Sequence, residues 1–290
     1  MSPSILYLLP SYPRWSETFL RQDLALLQQL NVPLLPVALQ KGDAEMQDNW
    51  PTVHYLEASQ DGAPNDELSS VKAGQSRAGR LAGRVAGWLP PALRTQASLW
   101  KHGRWLDLLT ELVRESGCRH LHAEFADIAA LMVATVARDL GLTYSLGVHA
   151  RDVHTPKFSL EELTRDALFV TVCNAAAQEQ LCAACGISAE RIHLIYHGLI
   201  LDDWPYTPLG PKPEAPLQLL FVGRLVAKKG LSDLVRALHR AKTAGLPCEL
   251  TIVGDGSEQS GLETMAKWLC IDELVCWRGV VSREQVRQEL

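Results

Sequence analysis

Two cationic side chains, Arg224 and Lys229, stand where a phosphate-rich ligand would need them. Arg224 closely follows a short apolar run, residues 217–222, and Lys229 with Gly230 precedes a helical pattern over 231–244. In a doubly wound sheet the carboxyl end of a strand faces the ligand crevice, and a helix amino terminus there offers unpaired N–H groups. A guanidinium grips a diphosphate as a fork, and an ammonium adds a point charge. Gly223, and Gly254 and Gly256 around Asp255 at the end of the next apolar run, let the backbone turn sharply or approach a ligand. The alternative reading is a glycine turn with solvated basic residues. His149 and Asp152 follow the run 143–148, where a histidine can hold a hydroxyl-rich ligand or can be a satisfied cap or core group. Ser16 and Glu17 precede a helical pattern over 19–30; Ser16 is either its N-cap or part of a helix end turned toward phosphates.

The elements that must position these residues alternate along the chain. Apolar runs at 5–9, 34–39, 53–56, 120–122, 143–148, 168–172 and 191–196 predict strands, and the patterns at 19–30, 126–140 and 175–185 predict helices. Continuous apolar strands separated by helices imply a parallel sheet buried on both faces. Residues 202–216 carry prolines at 205, 208, 211, 213 and 216, a density neither a helix nor a central strand tolerates, so they read as a linker. The alternation then restarts, with strands at 217–222, 249–253 and 274–277, helices at 231–244 and 261–269, and a helix start at 282–290. The fold class is α/β, with two Rossmann-like doubly wound domains at 1–201 and 217–290, the second incomplete.

A length of 290 residues suits two domains, and 47% hydrophobic with 21% charged residues excludes general disorder. A formal charge of -5 gives no reason to expect nucleic acid as a partner. Seven cysteines, an odd number without small-scaffold spacing, read as free thiols in a reducing cytoplasm; Cys182 and Cys185 form a C-x-x-C on a helical pattern that reads as packing rather than metal or redox work. The amino terminus lacks a charged region and its apolar run ends at Pro10, so neither a signal peptide nor a spanning helix is expected. Residues 69–105 hold seven Lys or Arg and no Asp or Glu, with Trp88, Trp100 and Trp105 interleaved. Such a stretch either lies on an anionic membrane surface, with the tryptophans inserted, or forms solvated helices at a domain edge. No Gly-x-Gly-x-x-Gly fingerprint occurs, which disfavours a nicotinamide enzyme.

Taken together, the residues resemble glycosyltransferase family 4, retaining enzymes of the two-domain GT-B fold. Val222-Gly223-Arg224-Leu225 with Lys229-Gly230 matches the family's donor diphosphate motif, and the run 250–256 matches the strand that follows it. His149-Ala150-Arg151-Asp152 resembles the histidine segment near the donor sugar, and His197-Gly198 the close of the first domain. Ser11-Tyr12-Pro13, Ser16-Glu17-Thr18-Phe19-Leu20 and His122-Ala123-Glu124-Phe125-Ala126 are similar to a bacterial subgroup that builds exopolysaccharides such as colanic acid. The resemblance implies a nucleoside-diphosphate sugar as donor, a glycan or lipid-linked acceptor, and no divalent metal or other cofactor. Arg224 and Lys229 would then stabilise the leaving diphosphate and His149 would orient the donor sugar, with Gly223, Gly254, Gly256, Ser16, Glu17 and Asp152 lining the donor site. The family's acidic donor motif lies beyond the point matched by Leu290, so a truncated, inactive remnant or binding module stays open, as does a GT-B nucleotide-sugar epimerase. The location expected is the cytoplasm, at the inner membrane face if residues 69–105 bind lipid.

Overall fold

A computed structural model describes residues 4–14, 17–44, 50–56, 91–204, 206, 208 and 216–290. The chain forms two compact units, Met1–Ile200 and Leu201–Leu290. In the first, seven parallel strands lie in the order β3-β2-β1-β4-β5-β6-β7. They are β1 (Ile5–Tyr12), β2 (Leu34–Lys41), β3 (His54–Tyr55), β4 (His120–Glu124), β5 (Thr143–Val148), β6 (Phe169–Val172) and β7 (Ile192–Leu194). The order runs one way from β1 to β3 and the other way from β4 to β7, so the chain reverses between β1 and β4, where doubly wound sheets bind ligands.

Alternation along β1 shows why this sheet is covered on both sides. Successive side chains of a strand point to opposite faces. Leu6 and Leu8 enter one apolar cluster with helix α4 (Ile128–Leu140), while Tyr7 and Leu9 enter another with Leu20 and Leu24 of helix α1 (Thr18–Gln29). Every residue of 128–134 is buried, which explains why that stretch is apolar all round rather than amphipathic. Helices α2 (Pro91–Lys101) and α3 (Gly103–Ser116) precede β4. Two short helices, α5 (Ala150–His154) and α6 (Leu160–Thr164), and helix α7 (Ala175–Cys185) complete the unit.

Of the basic, tryptophan-bearing stretch, residues 69–90, including Trp88, lie outside the described residues. Trp100 is exposed, but Trp105 packs against the core beneath α3, so the tryptophans do not form one outward face. Among the described residues no helix is long and apolar enough to cross a membrane. Cys118 and Cys248 are buried, Cys182 and Cys185 pack against the first core, and Cys270 and Cys276 are exposed.

Asp127, the N-cap of α4, accepts from Ala129 N–H at 3.0 Å. Burial pushes its carboxyl up from 3.8 to about 6, against the pull of that hydrogen bond. A folded pKa above the unfolded one means stability is full below the unfolded value and falls as pH rises through the folded one. The gap of roughly two pH units is worth about 3 kcal/mol. Asparagine caps a helix as well as aspartate does. Asp127→Asn should therefore stabilise the chain by up to about 3 kcal/mol above the folded pKa, with the gain vanishing below the unfolded one. Thermal melts on both sides of that window check it; an equal gain at both would contradict the assignment.

The second unit has a three-stranded parallel sheet, β10-β9-β8, among the described residues. Its elements are β8 (Leu217–Val222), α8 (Leu231–Thr243), β9 (Cys248–Val253), α9 (Gln259–Trp268), β10 (Val275–Gly279) and α10 (Arg283–Glu289). Leu225, Leu231, Val235, Leu250, Ile252 and Leu262 build its core. The Arg283 guanidinium lies 5.2 Å from the Trp204 ring, so a cation–π contact joins the two ends of this unit.

Candidate functional site

In the first unit, chemistry-bearing side chains converge at the carboxyl ends of β4 to β7. Glu124 ends β4, and its carboxylate accepts from Tyr7 O–H at 2.5 Å, from His149 Nε2 at 2.7 Å and from His122 Nε2 at 3.1 Å. Strand period explains the first cluster: His122 and Glu124 share a face of β4, and Tyr7 lies opposite His122 in the β1–β4 register. Gly147 lies opposite Glu124 on β5, and a Cβ there would meet the carboxylate at 2.8 Å. The glycine thus leaves the space the carboxylate occupies.

The electrostatics follow from burial and partners together. Burial raises the Glu124 carboxyl, but hydrogen bonds from His122 and His149, with their charge, outweigh it and hold the group well below the carboxylate range. Burial likewise opposes charging of His149, yet the Glu124 hydrogen bond and charge prevail and its pKa is raised. Tyr7, buried beside that carboxylate, is raised well above 10 and remains a donor. His149 Nε2 is thus committed to Glu124, while its Nδ1 lies 3.8 Å from Cys173 Sγ.

Asp152, one turn into α5, is buried. Its Oδ2 accepts from His149 N–H at 3.0 Å and from Ala126 N–H at 3.3 Å. It ties the start of α5 to the loop after β4, where Phe125 sits at φ 92, a conformation costly for an aromatic residue. Phe125 and Phe19 flank the His149 ring, with centroids 4.6 and 5.2 Å away. His197, beyond β7, packs against Phe19 with ring centroids 4.0 Å apart and planes tilted by 37°, and its Nδ1 meets Asp23 Oδ2 at 3.2 Å.

Glu17 stands at the N-cap of α1 without a side-chain capping bond and lies 3.6 Å from Arg14. Burial raises its pKa, and its charge in turn helps raise that of His149. Ser16 lies outside the described residues. The first unit therefore brings Glu17, His149 and Asp152 together. Sequence reasoning left out Tyr7, His122, Glu124, Cys173 and His197 as site residues; the alternation His122-x-Glu124 on a strand was the one signal that would have found a pair of them.

Arg224, Lys229, Gly223, Gly254 and Gly256 all fall in the second unit, around the ends of β8 and β9. Gly223 N–H donates to Val253 O at 3.0 Å, Leu225 N–H to Asp255 O at 2.9 Å, and Gly254 N–H to Gly279 O at 2.8 Å, so the ends of all three strands are bound together. A Cβ on Gly254 would collide with the Gly223 carbonyl, and one on Gly256 with the Leu225 carbonyl. Arg224 and Lys229 are exposed, and no carboxylate lies within ion-pair distance of either among the described residues. Gly230, in the left-handed region, is the N-cap of α8 and supplies no side-chain bond; its carbonyl accepts from Asp233 N–H at 3.0 Å, which leaves the N–H groups of Leu231 and Ser232 at the start of a 13-residue helix without a side-chain cap. Two cations, a helix end and a glycine-braced loop are groups with which an anion can be held.

Comparison with known proteins shows what this arrangement is similar to. Residues 207–290 match the family "Glycosyl transferases group 1". Over 99% of its length the chain is 23% identical to a putative colanic acid biosynthesis glycosyltransferase, WcaL, of Salmonella typhimurium, and spans 72% of that protein. A glycogen synthase of Mycobacterium tuberculosis is 30% identical over 148 residues, half of this chain and about a third (34%) of the relative. Among solved structures, the lipopolysaccharide outer core galactosyltransferase WaaB in its apo form matches with a TM-score of 0.61 at 19% identity, covering 98% of this chain and 70% of that one. The two parallel-sheet units thus have the GT-B fold of these structural neighbours. Residues 207–290 thus match a group 1 glycosyl transferase domain, which is what this part of the chain is similar to.

Proposed function

We propose that this protein acts as a retaining glycosyltransferase that moves a sugar from a nucleoside-diphosphate sugar to a glycan or lipid-linked acceptor during cell-surface polysaccharide synthesis. The observation that carries the reading is the braced loop Gly223-Arg224-Leu225 at the end of β8, with Lys229 and the uncapped start of α8 beside it. As the bond to the sugar breaks, negative charge grows on the departing diphosphate, and fixed cations and backbone donors lower that barrier most where the charge develops. Arg224 takes the phosphates in a fork and Lys229 adds charge, so the step needs no divalent metal. In the first unit His149, held by Glu124, orients the donor sugar, Glu17 contributes negative charge nearby, and Asp152 fixes the turn that aims the histidine. The WcaL and lipopolysaccharide relatives support an acceptor of the surface-polysaccharide class; in this reading the chain acts in the cytoplasm, against the inner membrane where the acceptor is lipid-linked.

Arg224→Ala and Lys229→Ala should each lower transfer at least tenfold, about 1.4 kcal/mol of barrier. Release of nucleoside diphosphate with a lengthened acceptor is the measurement. Unchanged release in both variants removes the cationic pair from the mechanism, and a chain that binds the diphosphate without turnover is a binding module.

A further inference from the structure

Three ligand atoms for a soft cation meet where β5, β6 and β7 end. One atom each from His149, Cys173 and His197 lies within 4.8 Å of the others. Parallel strands release their chains at the same edge, so residues following neighbouring strands are placed side by side although 24 positions separate each from the next along the chain. His149 Nδ1 and Cys173 Sγ are 3.8 Å apart. Ligands of a tetrahedral zinc stand about 3.6 Å apart for one sulfur and one nitrogen.

A second, independent feature points the same way. Metal-bound histidines usually give their other nitrogen to a carboxylate, which fixes the tautomer and ring. Both histidines have that partner: His149 Nε2 meets Glu124 at 2.7 Å, and His197 Nδ1 meets Asp23 at 3.2 Å. Each is left with one nitrogen for an ion. The Asn174 amide donates to Cys173 Sγ at 3.7 Å and so orients the sulfur. Phe19 and Phe125 supply an apolar wall, while His197 is exposed and gives an ion a way in. We propose that His149, Cys173 and His197 form a binding site for one thiophilic divalent cation, Zn²⁺ by chemistry, with a fourth position open.

The site lies in the first unit and shares His149 with the donor-sugar role proposed above, so a bound ion and the donor sugar would compete for that side chain; its test needs no turnover. The untagged chain, stripped of metal, is titrated with Co²⁺ and then Zn²⁺. One Co²⁺ per chain with a thiolate charge-transfer band, displaced by Zn²⁺, is expected. Cys173→Ser should abolish the band, and His197→Ala should weaken Zn²⁺ binding by more than about tenfold. The double change Cys182→Ser with Cys185→Ser should leave both unchanged. Co²⁺ binding without a thiolate band, a band that persists in Cys173→Ser, or one lost only in the Cys182, Cys185 variant would each overturn the assignment, as would the absence of stoichiometric uptake.

Discussion

Replacing Glu124 with alanine is expected to destabilise the first unit by about 3–5 kcal/mol, the usual loss when one partner of a buried ion pair is removed. Tyr7, His122 and His149 all direct donors at this one carboxylate, and each would be left in a buried space without an acceptor. For a unit of this size the melting temperature should fall by roughly 6–20 °C. A shift of a degree or two would show that the network relaxes or admits water. Glu124→Gln keeps the volume and separates charge from shape, so it serves where the alanine variant does not fold.

The same network sets a pH window. Glu124, depressed in the folded state, contributes stability that is present above its ordinary value of 4.5 and is lost as pH falls through the lower folded value. His149, raised, contributes stability that is full below its ordinary value of 6.5 and is lost as pH rises through the higher folded value. The pair is therefore most stabilising between those two ordinary values. Glu124→Gln should flatten that profile and lower the His149 pKa, which an imidazole titration followed by NMR reads directly.

Gly254→Ala should be the most damaging small change in the second unit. Gly254 has φ +132, a region side chains rarely adopt, and its Cβ would collide with the Gly223 carbonyl. Strain and overpacking together cost about 2–6 kcal/mol. The strand ends are bound to one another, so the clash is passed to the loop carrying Arg224. Nucleoside-diphosphate binding should weaken at least tenfold in parallel with the loss of stability, about 1.4 kcal/mol of binding energy. Gly261→Ala is the matching control, since it lies within α9 and a Cβ there meets nothing within 4 Å. It should be neutral or slightly stabilising. If Gly254→Ala binds and melts like Gly261→Ala, the bracing of the Arg224 loop has no energetic weight.

Much of the architecture was legible in the sequence because it rests on local patterns. Strand runs predicted at 34–39, 143–148 and 217–222 and the helix at 175–185 emerge within two residues of their structural ends, since an apolar run buried on both faces has few other options. Arg224, Lys229 and the glycines were equally legible, because a strand, a glycine turn and a helix start are contiguous in the chain. Other features were not. The helices α5 and α6 are each five residues long, too short for a periodic signal, yet α5 sets the direction of His149. Asp152 reads as a ligand-facing residue from its position after a strand, and only the fold shows its carboxylate turned back onto two backbone N–H groups.

What the sequence determined by itself was the set of elements and the cationic loop, both products of neighbours along the chain. The tertiary structure decided which distant residues meet. Glu124 lies 117 positions from Tyr7 and 25 from His149, and Asp23 lies 174 from His197. No periodicity links such positions. They come together because parallel strands, each returned by a helix, end at one edge of a sheet, and the His149 pKa is raised only because that edge brings Glu124 beside it against the effect of burial.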